Sequence, residues 1–180
     1  NVGAGTGASV GKILGLSRAT KSGLGCASIQ FEDGLVISAL AVVNALGEVV
    51  NPLNGSILAG VRKNPKIGLG EQDPQPFLPT LELLDQLISA PMMGSLIQNT
   101  VIGVVATNAR LSKEQANLVA QMAQDGLARA IRPSHTLMDG DTIFALASGE
   151  IETDLNLVGA YGAEMFSQAI LNAVRAAQPA

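Results

Sequence analysis

Asn99-Thr100-Val101-Ile102-Gly103-Val104-Val105-Ala106-Thr107-Asn108 is the stretch that sets the fold class of this 180-residue chain. Its β-branched residues fit a pleated strand better than a helix, and the run is apolar enough to be strongly buried. Toward the amino terminus, Leu35 to Val43 is a second such run, broken only by Ser38. It is too continuous for a sheet with one face in water, which predicts a central strand covered on both faces. Cys26 to Phe31 reads as its neighbour across the turn residues Glu32, Asp33 and Gly34, and Glu48 to Val50 as an extension of the same region.

Toward the carboxyl terminus, Ser112-Lys113-Glu114-Gln115 fits a capping box at a helix start. Leu118, Val119, Met122 and Ala123 then form an apolar stripe at helical spacing, and Pro133 prevents continuation. Asp139 to Asp141 is a turn before a strand at Thr142 to Ala147. Leu157 to Ala177 is a final helix whose small residues, Gly159 and Gly162 among them, permit close packing. Thr80 to Ile88 reads as a short helix with Leu81, Leu84, Leu87 and Ile88 on its apolar side. Asn51 to Pro79 loses periodicity and collects turn residues such as Asn54-Gly55 and Asp73-Pro74, which predicts flexible chain, and Ala90 to Asn99 reads as an exposed connector. Strands separated by helices give an α/β layered domain.

Composition narrows the functional classes. The chain is 47% hydrophobic, 3% aromatic and 14% charged, and 11 Lys and Arg against 15 Asp and Glu give a net charge of −4. Phosphate binding needs a basic stripe, and the basic residues here are scattered, which argues against a nucleic-acid partner. The low aromatic content argues against a base-stacking platform. Cys26, the single cysteine, has no partner for an internal disulfide, and its small and apolar neighbours predict a buried thiol rather than a nucleophile. No uninterrupted apolar stretch reaches the roughly 18 residues of a membrane span, and residues 1 to 10 lack the basic start of a signal peptide. A cytoplasmic protein is expected. Asn1 is not a translation start and the first residues read as the middle of a fold, so upstream sequence is expected to have been cleaved away, omitted or placed in another chain.

Local patterns leave several chemistries open. Gly3-Ala4-Gly5-Thr6-Gly7-Ala8 superficially matches the dinucleotide loop G-x-G-x-x-A, but no strand is visible before Gly3. A tight structural or substrate-cradling loop is the better reading. Lys12 is followed by Ile13, outside the phosphate-loop pattern. Asp139-Gly140-Asp141 fits a solvated turn, an electrostatic role in catalysis, or a cation between two carboxylates, although two ligands are too few for a metal site. His135 stands alone, more often a structural than an acid-base arrangement. No G-x-S-x-G elbow is present.

Three blocks carry a family resemblance: Asn99 to Asn108; Asp125-Gly126-Leu127-Ala128-Arg129-Ala130-Ile131-Arg132-Pro133; and His135-Thr136-Leu137-Met138-Asp139-Gly140-Asp141-Thr142-Ile143-Phe144-Ala145. In this order they resemble the self-processing L-aminopeptidase/D-esterase family, which includes beta-peptidyl aminopeptidases and nylon oligomer hydrolase. The resemblance covers nearly the whole chain, and the Asn-Thr junction is most similar to the nylon oligomer hydrolase branch. It implies an N-terminal-nucleophile hydrolase with a four-layer αββα sandwich, an ornithine-acetyltransferase-like relative of the same fold, and a precursor that cuts itself. The cut would fall between Asn99 and Thr100. Residues 1–99 would then be the end of an α subunit that lacks its upstream region, and residues 100–180 the β subunit, the two forming one composite domain.

The resemblance assigns Thr100 as nucleophile, Lys12 as the lysine beside it, Asn44 as oxyanion donor, and Asp139 with Asp141 as the acidic pair that orients the site. Gly3, Gly5, Thr6 and Gly7 would wall the substrate cleft. The chemistry is coherent: a threonine hydroxyl is a poor nucleophile, but an amino-terminal threonine carries its own base, an amine titrating at about 7.7 to 8.0. Cleavage creates the base that turnover requires. The expected function is hydrolysis of a small peptide or linear amide without an organic cofactor or metal. The expected partners are the missing amino-terminal region or a companion chain, and further copies, a tetramer of processed pairs. Acyl transfer to an amine and a non-catalytic binding or structural role are the alternatives. Asn108 contacts the site or merely closes a turn.

Overall fold

Continuous apolar runs rich in β-branched residues, and 3.6-residue periodicity in the segments between them, give strands and helices in one order. The computed structural model describes residues 2–64, 75–88 and 99–177. Before the first helix come β1 (Ser9–Val10), β2 (Thr20–Lys21), β3 (Leu24–Gln30), β4 (Val36–Asn44), β5 (Glu48–Val50), β6 (Ile57–Ala59), β7 (Val61–Arg62) and β8 (Phe77–Leu78). They are followed by α1 (Thr80–Ile88), β9 (Thr100–Ala109), α2 (Lys113–Ala130), β10 (Ile131–Arg132), β11 (Thr142–Ile151) and α3 (Leu155–Arg175). The main sheet has the order β11-β9-β4-β3. β4 is antiparallel to both β3 and β9, whereas β9 and β11 are parallel. A parallel pair needs a crossover, and α2 supplies it.

One face of this sheet is the core. Ile37, Ala39, Ala41 and Val43 of β4, with Val101 and Val105 of β9, pack against Val119, Ala123 and Leu127 of α2 and Phe166, Ala169 and Ile170 of α3. The opposite face is different: Leu40 is 40% exposed, Ile102 51% and Phe144 55%. The prediction that Leu35 to Val43 is covered on both faces therefore does not hold among the described residues, because alternate side chains of an apolar run still point to opposite sides. Cys26 shares this parity. It is exposed, not buried as predicted, since Gly25 and not Cys26 faces α3.

The helices begin as their sequences dictate. Ser112 forms the predicted capping box, with its Oγ accepting the Gln115 N–H and Gln115 Oε1 accepting the Ser112 N–H. Asp154 caps α3 by accepting the N–H groups of Asn156 and Leu157, and the helix begins at Leu155, two residues before the predicted start. α1 spans the predicted residues. Leu83 is buried and packs with Ile13, Leu46 and Val61, whereas Leu81, predicted on the apolar side, is 59% exposed. Glu48 Oε2 accepts the Thr80 N–H at 2.7 Å and ties the start of α1 to β5.

Glu48 to Val50 is a strand, as expected, but lies outside the main sheet. It forms the centre of a second sheet, β10-β5-β6. Asn51 to Pro79, predicted aperiodic, holds β6, β7 and β8, strands of two or three residues that are too short to show a period. Asp73-Pro74 and residues 90–98 of the predicted connector lie outside the described residues. Its last residue, Asn99, is buried rather than exposed. Among the described residues, no helix is long and apolar enough to cross a membrane.

Candidate active site

The register of the two central strands builds the site. β4 and β9 run antiparallel, and their pairing ends with Asn44 opposite Thr100, so the last residue of one strand lies against the first of the other. β1 approaches the same end, where the Ser9 N–H donates to Asn44 Oδ1 at 3.2 Å. Gly11 follows with φ +69 against the backbone of Gly60, where a Cβ would lie 2.2 Å from the Gly60 carbonyl carbon. Only a residue without a side chain passes there. The Gly11 and Lys12 amides then donate to the Gly47 and Leu46 carbonyls, which turns the Lys12 side chain inward.

Lys12 is 2% exposed, and its Nζ donates to the Asn44 main-chain oxygen and to Asn44 Oδ1, each at 2.9 Å. Burial disfavours the charged ammonium and lowers its pKa from 10.5 to about 8, while the negative charge of Asp139 acts in the other direction. The Asn44 amide is oriented by these contacts. Its oxygen accepts from Lys12 and Ser9, and its Nδ2 is the donor end.

On the β9 side, Thr100 is half-buried and its Oγ1 donates to the Asn99 carbonyl oxygen at 2.5 Å. Asn99 is buried and forms an isolated parallel bridge with Asp139, which continues the β9-β11 pairing past the strand ends. The Gly140 N–H donates to the same Asn99 oxygen at 2.9 Å. Asn99 Nδ2 reaches the Met138 carbonyl at 3.4 Å, and its Oδ1 is buried with no hydrogen-bond partner among the described residues.

The two acids have different anchors. Asp139 Oδ2 accepts from the Thr136 N–H at 3.0 Å and the Thr136 hydroxyl at 2.7 Å. Asp141 Oδ1 accepts the Val101 N–H at 2.8 Å, and its Oδ2 lies 3.5 Å from His135 Nδ1. Burial raises the Asp141 pKa above its ordinary value, the Val101 hydrogen bond opposes this, the charge of Asp139 adds to it, and His135 opposes it. The carboxyl is thus held closer to its neutral form than a surface aspartate.

Lys12, Asn44, Asn99, Thr100, Asp139 and Asp141 therefore meet where the strands β4, β9 and β11 end or begin. Gly3, Gly5, Thr6 and Gly7 lie in the segment that leads into β1. Thr6 closes a turn onto the Gly3 carbonyl, Lys21 Nζ donates to the Thr6 carbonyl, and Gly5 and Thr6 line a cavity of about 390 Å³ with Ser22, Leu24 and Ala176. The segment runs into β1 rather than a helix, so the helix amino end of a dinucleotide loop does not follow it. Asn108 closes a turn: its Oδ1 accepts the Val36 N–H and its Nδ2 donates to the Gly34 carbonyl. No group of three His, Cys, Asp or Glu among the described residues could hold a metal ion.

Three participants are not visible in side-chain patterns. His135 reads as a lone structural histidine, but at φ +55 it turns toward Asp141, six residues on. Gly140 and Ser9 contribute main-chain donors, which sequence chemistry does not mark.

Comparison with known proteins gives the site a context. The family model described as peptidase family S58 matches residues 1–180. The chain is 37% identical over 192 aligned residues to an uncharacterized aminopeptidase of Mycobacterium leprae, covering 98% of this chain and 49% of the relative. It is 28% identical to a 6-aminohexanoate-oligomer endohydrolase of Kocuria sp., covering 96% of this chain and 50% of that protein. The L-aminopeptidase D-Ala-esterase/amidase of Ochrobactrum anthropi, a variant of the Ntn-hydrolase fold, superimposes with a TM-score of 0.60 at 20% identity, over 97% of this chain and 44% of that one. The fold expected from the sequence blocks, that of the N-terminal-nucleophile hydrolases, is the fold found. The chain spans about half the length of the curated relatives it matches.

Proposed function

The chain belongs to peptidase family S58, and from that premise we propose that it is the nucleophile-bearing part of a self-cleaving amide hydrolase whose Thr100 becomes amino-terminal. The observation that carries this reading is the Thr100 hydroxyl, held 2.5 Å from the carbonyl oxygen of the preceding residue at the point where Lys12, Asn44, Asp139 and Asp141 converge.

Processing begins when Thr100 Oγ1 adds to the Asn99 carbonyl carbon. The bond to the Thr100 nitrogen breaks, that nitrogen takes the hydroxyl proton, and an ester joins Asn99 to Oγ1. Water hydrolyses the ester to an Asn99 carboxylate and a free Thr100 hydroxyl. In turnover the Thr100 amine accepts the hydroxyl proton as Oγ1 attacks the substrate amide. Asn44 Nδ2 donates to the developing oxyanion, and the amine leaves with a proton. Water then releases the acyl group. Lys12 holds Asn44 and sets the charge around the Thr100 amine; Asp141 fixes the start of β9 through Val101.

The substrate class is a small peptide or a linear amide oligomer, supported by the aminopeptidase and 6-aminohexanoate-oligomer endohydrolase relatives. The apolar sheet face at Leu40, Ile102 and Phe144 is where the remainder of the longer protein, or a companion chain, would pack. Amino-terminal sequencing and intact mass of every fragment of the full-length protein test the reading. A fragment starting at Thr100 is expected, and Thr100→Ala should remain uncut and inactive. Turnover by material with an intact bond between residues 99 and 100 would overturn it.

A further inference from the structure

We propose that the backbone N–H of Gly140 is the oxyanion donor for cleavage of the Asn99–Thr100 bond, an inference that rests on the self-processing reading above. The Asn99 carbonyl oxygen accepts two hydrogen bonds, from the Thr100 hydroxyl at 2.5 Å and from the Gly140 N–H at 2.9 Å. The first is lost as the hydroxyl becomes the nucleophile. The second stays, aimed at the oxygen on which negative charge collects in both tetrahedral states, before and after the ester.

The donor is held in place from both sides. Asp139 is fixed by Thr136 and bridges to Asn99, and Asp141 is fixed by the Val101 N–H. Asn99 is 4% exposed, so little water competes for its carbonyl. A donor fixed in a water-poor site stabilises developing charge without reorganising. Glycine at this position also has a steric reason: a Cβ on Gly140 would lie 3.1 Å from Thr100 Oγ1 and 3.9 Å from the Asn99 oxygen. The donor thus approaches the carbonyl beside the nucleophile without crowding it. Asn44, the donor proposed for substrate turnover, has its oxygen engaged by Ser9 and Lys12, so its contribution there comes from Nδ2.

The test replaces the Asp139–Gly140 amide by an ester in the full-length protein, with glycolic acid incorporated in place of Gly140, which deletes the N–H and little else. Self-cleavage, followed by intact mass, should slow by roughly 100- to 1,000-fold, the range for loss of one oxyanion donor. Gly140→Ala keeps the N–H and should cut faster than the ester variant. Independently of either variant's folding, amide hydrogen exchange on the uncut Thr100→Ala protein should show Gly140 protected. An ester variant cut at the wild-type rate, or a Gly140 amide exchanging as fast as an open chain, overturns this proposal while leaving self-processing intact. A wild-type protein that is never cut removes the self-processing reading and this inference with it.

Discussion

The Lys12 ammonium lies 2.9 Å from both oxygens of Asn44, the main-chain carbonyl and the side-chain amide oxygen. A charged donor shared between them fixes the Asn44 rotamer and its amide orientation together, and the Ser9 N–H on the same Oδ1 strengthens that choice. Lys12 thus acts on the oxyanion through Asn44 as well as by its own charge. Asn44→Ala should lower kcat on an amino-acid anilide by roughly 100- to 1,000-fold, as for other lost oxyanion donors, with a smaller change in KM. Equal kcat values for the variant and the wild type would remove Asn44 from the site.

The depressed pKa of Lys12 gives a stability signature with a defined window. Below about pH 8 the lysine is charged in the folded and unfolded chains alike, and its burial opposes folding at a constant level. Between about 8 and 10.5 it is neutral when folded and protonated when unfolded, so the unfolded state binds the extra proton and stability rises with pH. Above 10.5 the contribution is flat. Urea midpoints of the uncut Thr100→Ala protein, with and without Lys12→Met, isolate this term. Their difference should move in favour of the lysine between pH 8 and 10.5, and a constant difference would show that Lys12 titrates normally.

Asp141 should trade stability against activity. Its pKa is raised by burial, so the protonated carboxyl favours the folded state, and that contribution is lost as pH rises through the folded value. Asp141→Asn keeps an acceptor for the Val101 N–H and removes the buried charge. Thermal melts at pH 7 should show the variant more stable than the wild type, with the gap closing as pH falls toward 3.8. Turnover should fall, because the amide cannot balance the positive charges proposed for Lys12 and the Thr100 amine. A variant less stable than the wild type at pH 7 would mean that the carboxylate form of Asp141 stabilises the fold.

What could be read from the sequence depended on how locally each feature is encoded. The Ser112 capping box and the span of α1 follow from neighbouring residues and are as expected. The two apolar runs announce strands that pair with each other, but a one-dimensional run does not say which face is packed. Hence Leu40 and Cys26 lie on the open side against expectation, and Leu83 rather than Leu81 enters the core of α1. The site itself is assembled by register. Thirty-two positions separate Lys12 from Asn44, and only the pairing of Asn44 with Thr100 closes the circle. Physical patterning marked none of these residues as a set; the family resemblance did. His135 and Gly140 escaped because one acts through a turn at positive φ and the other through its backbone.

Gly103 connects the core to the nucleophile, and this connection can be tested by suppression. It lies three residues after Thr100 on β9, and a Cβ there would sit 2.0 Å from Phe166 Cε2 and 3.0 Å from the Leu40 carbonyl oxygen. Phe166, fully buried on α3, therefore occupies the space that a side chain at position 103 would need. Gly103→Ala must displace the ring or lift β9 away from α3, an overpacking that typically costs about 1–3 kcal/mol. Lifting the strand also shifts Thr100 against Asn44, so self-cleavage should slow along with the loss of stability. Phe166→Leu alone opens a void and is destabilising in its own right. Combined with Gly103→Ala, it returns the missing volume to the methyl group, so the double variant should be more stable than the sum of the two single effects by about 0.5–3 kcal/mol. It should also cut faster than Gly103→Ala. Strict additivity in chemical denaturation would show that the ring and the strand do not compete for this space.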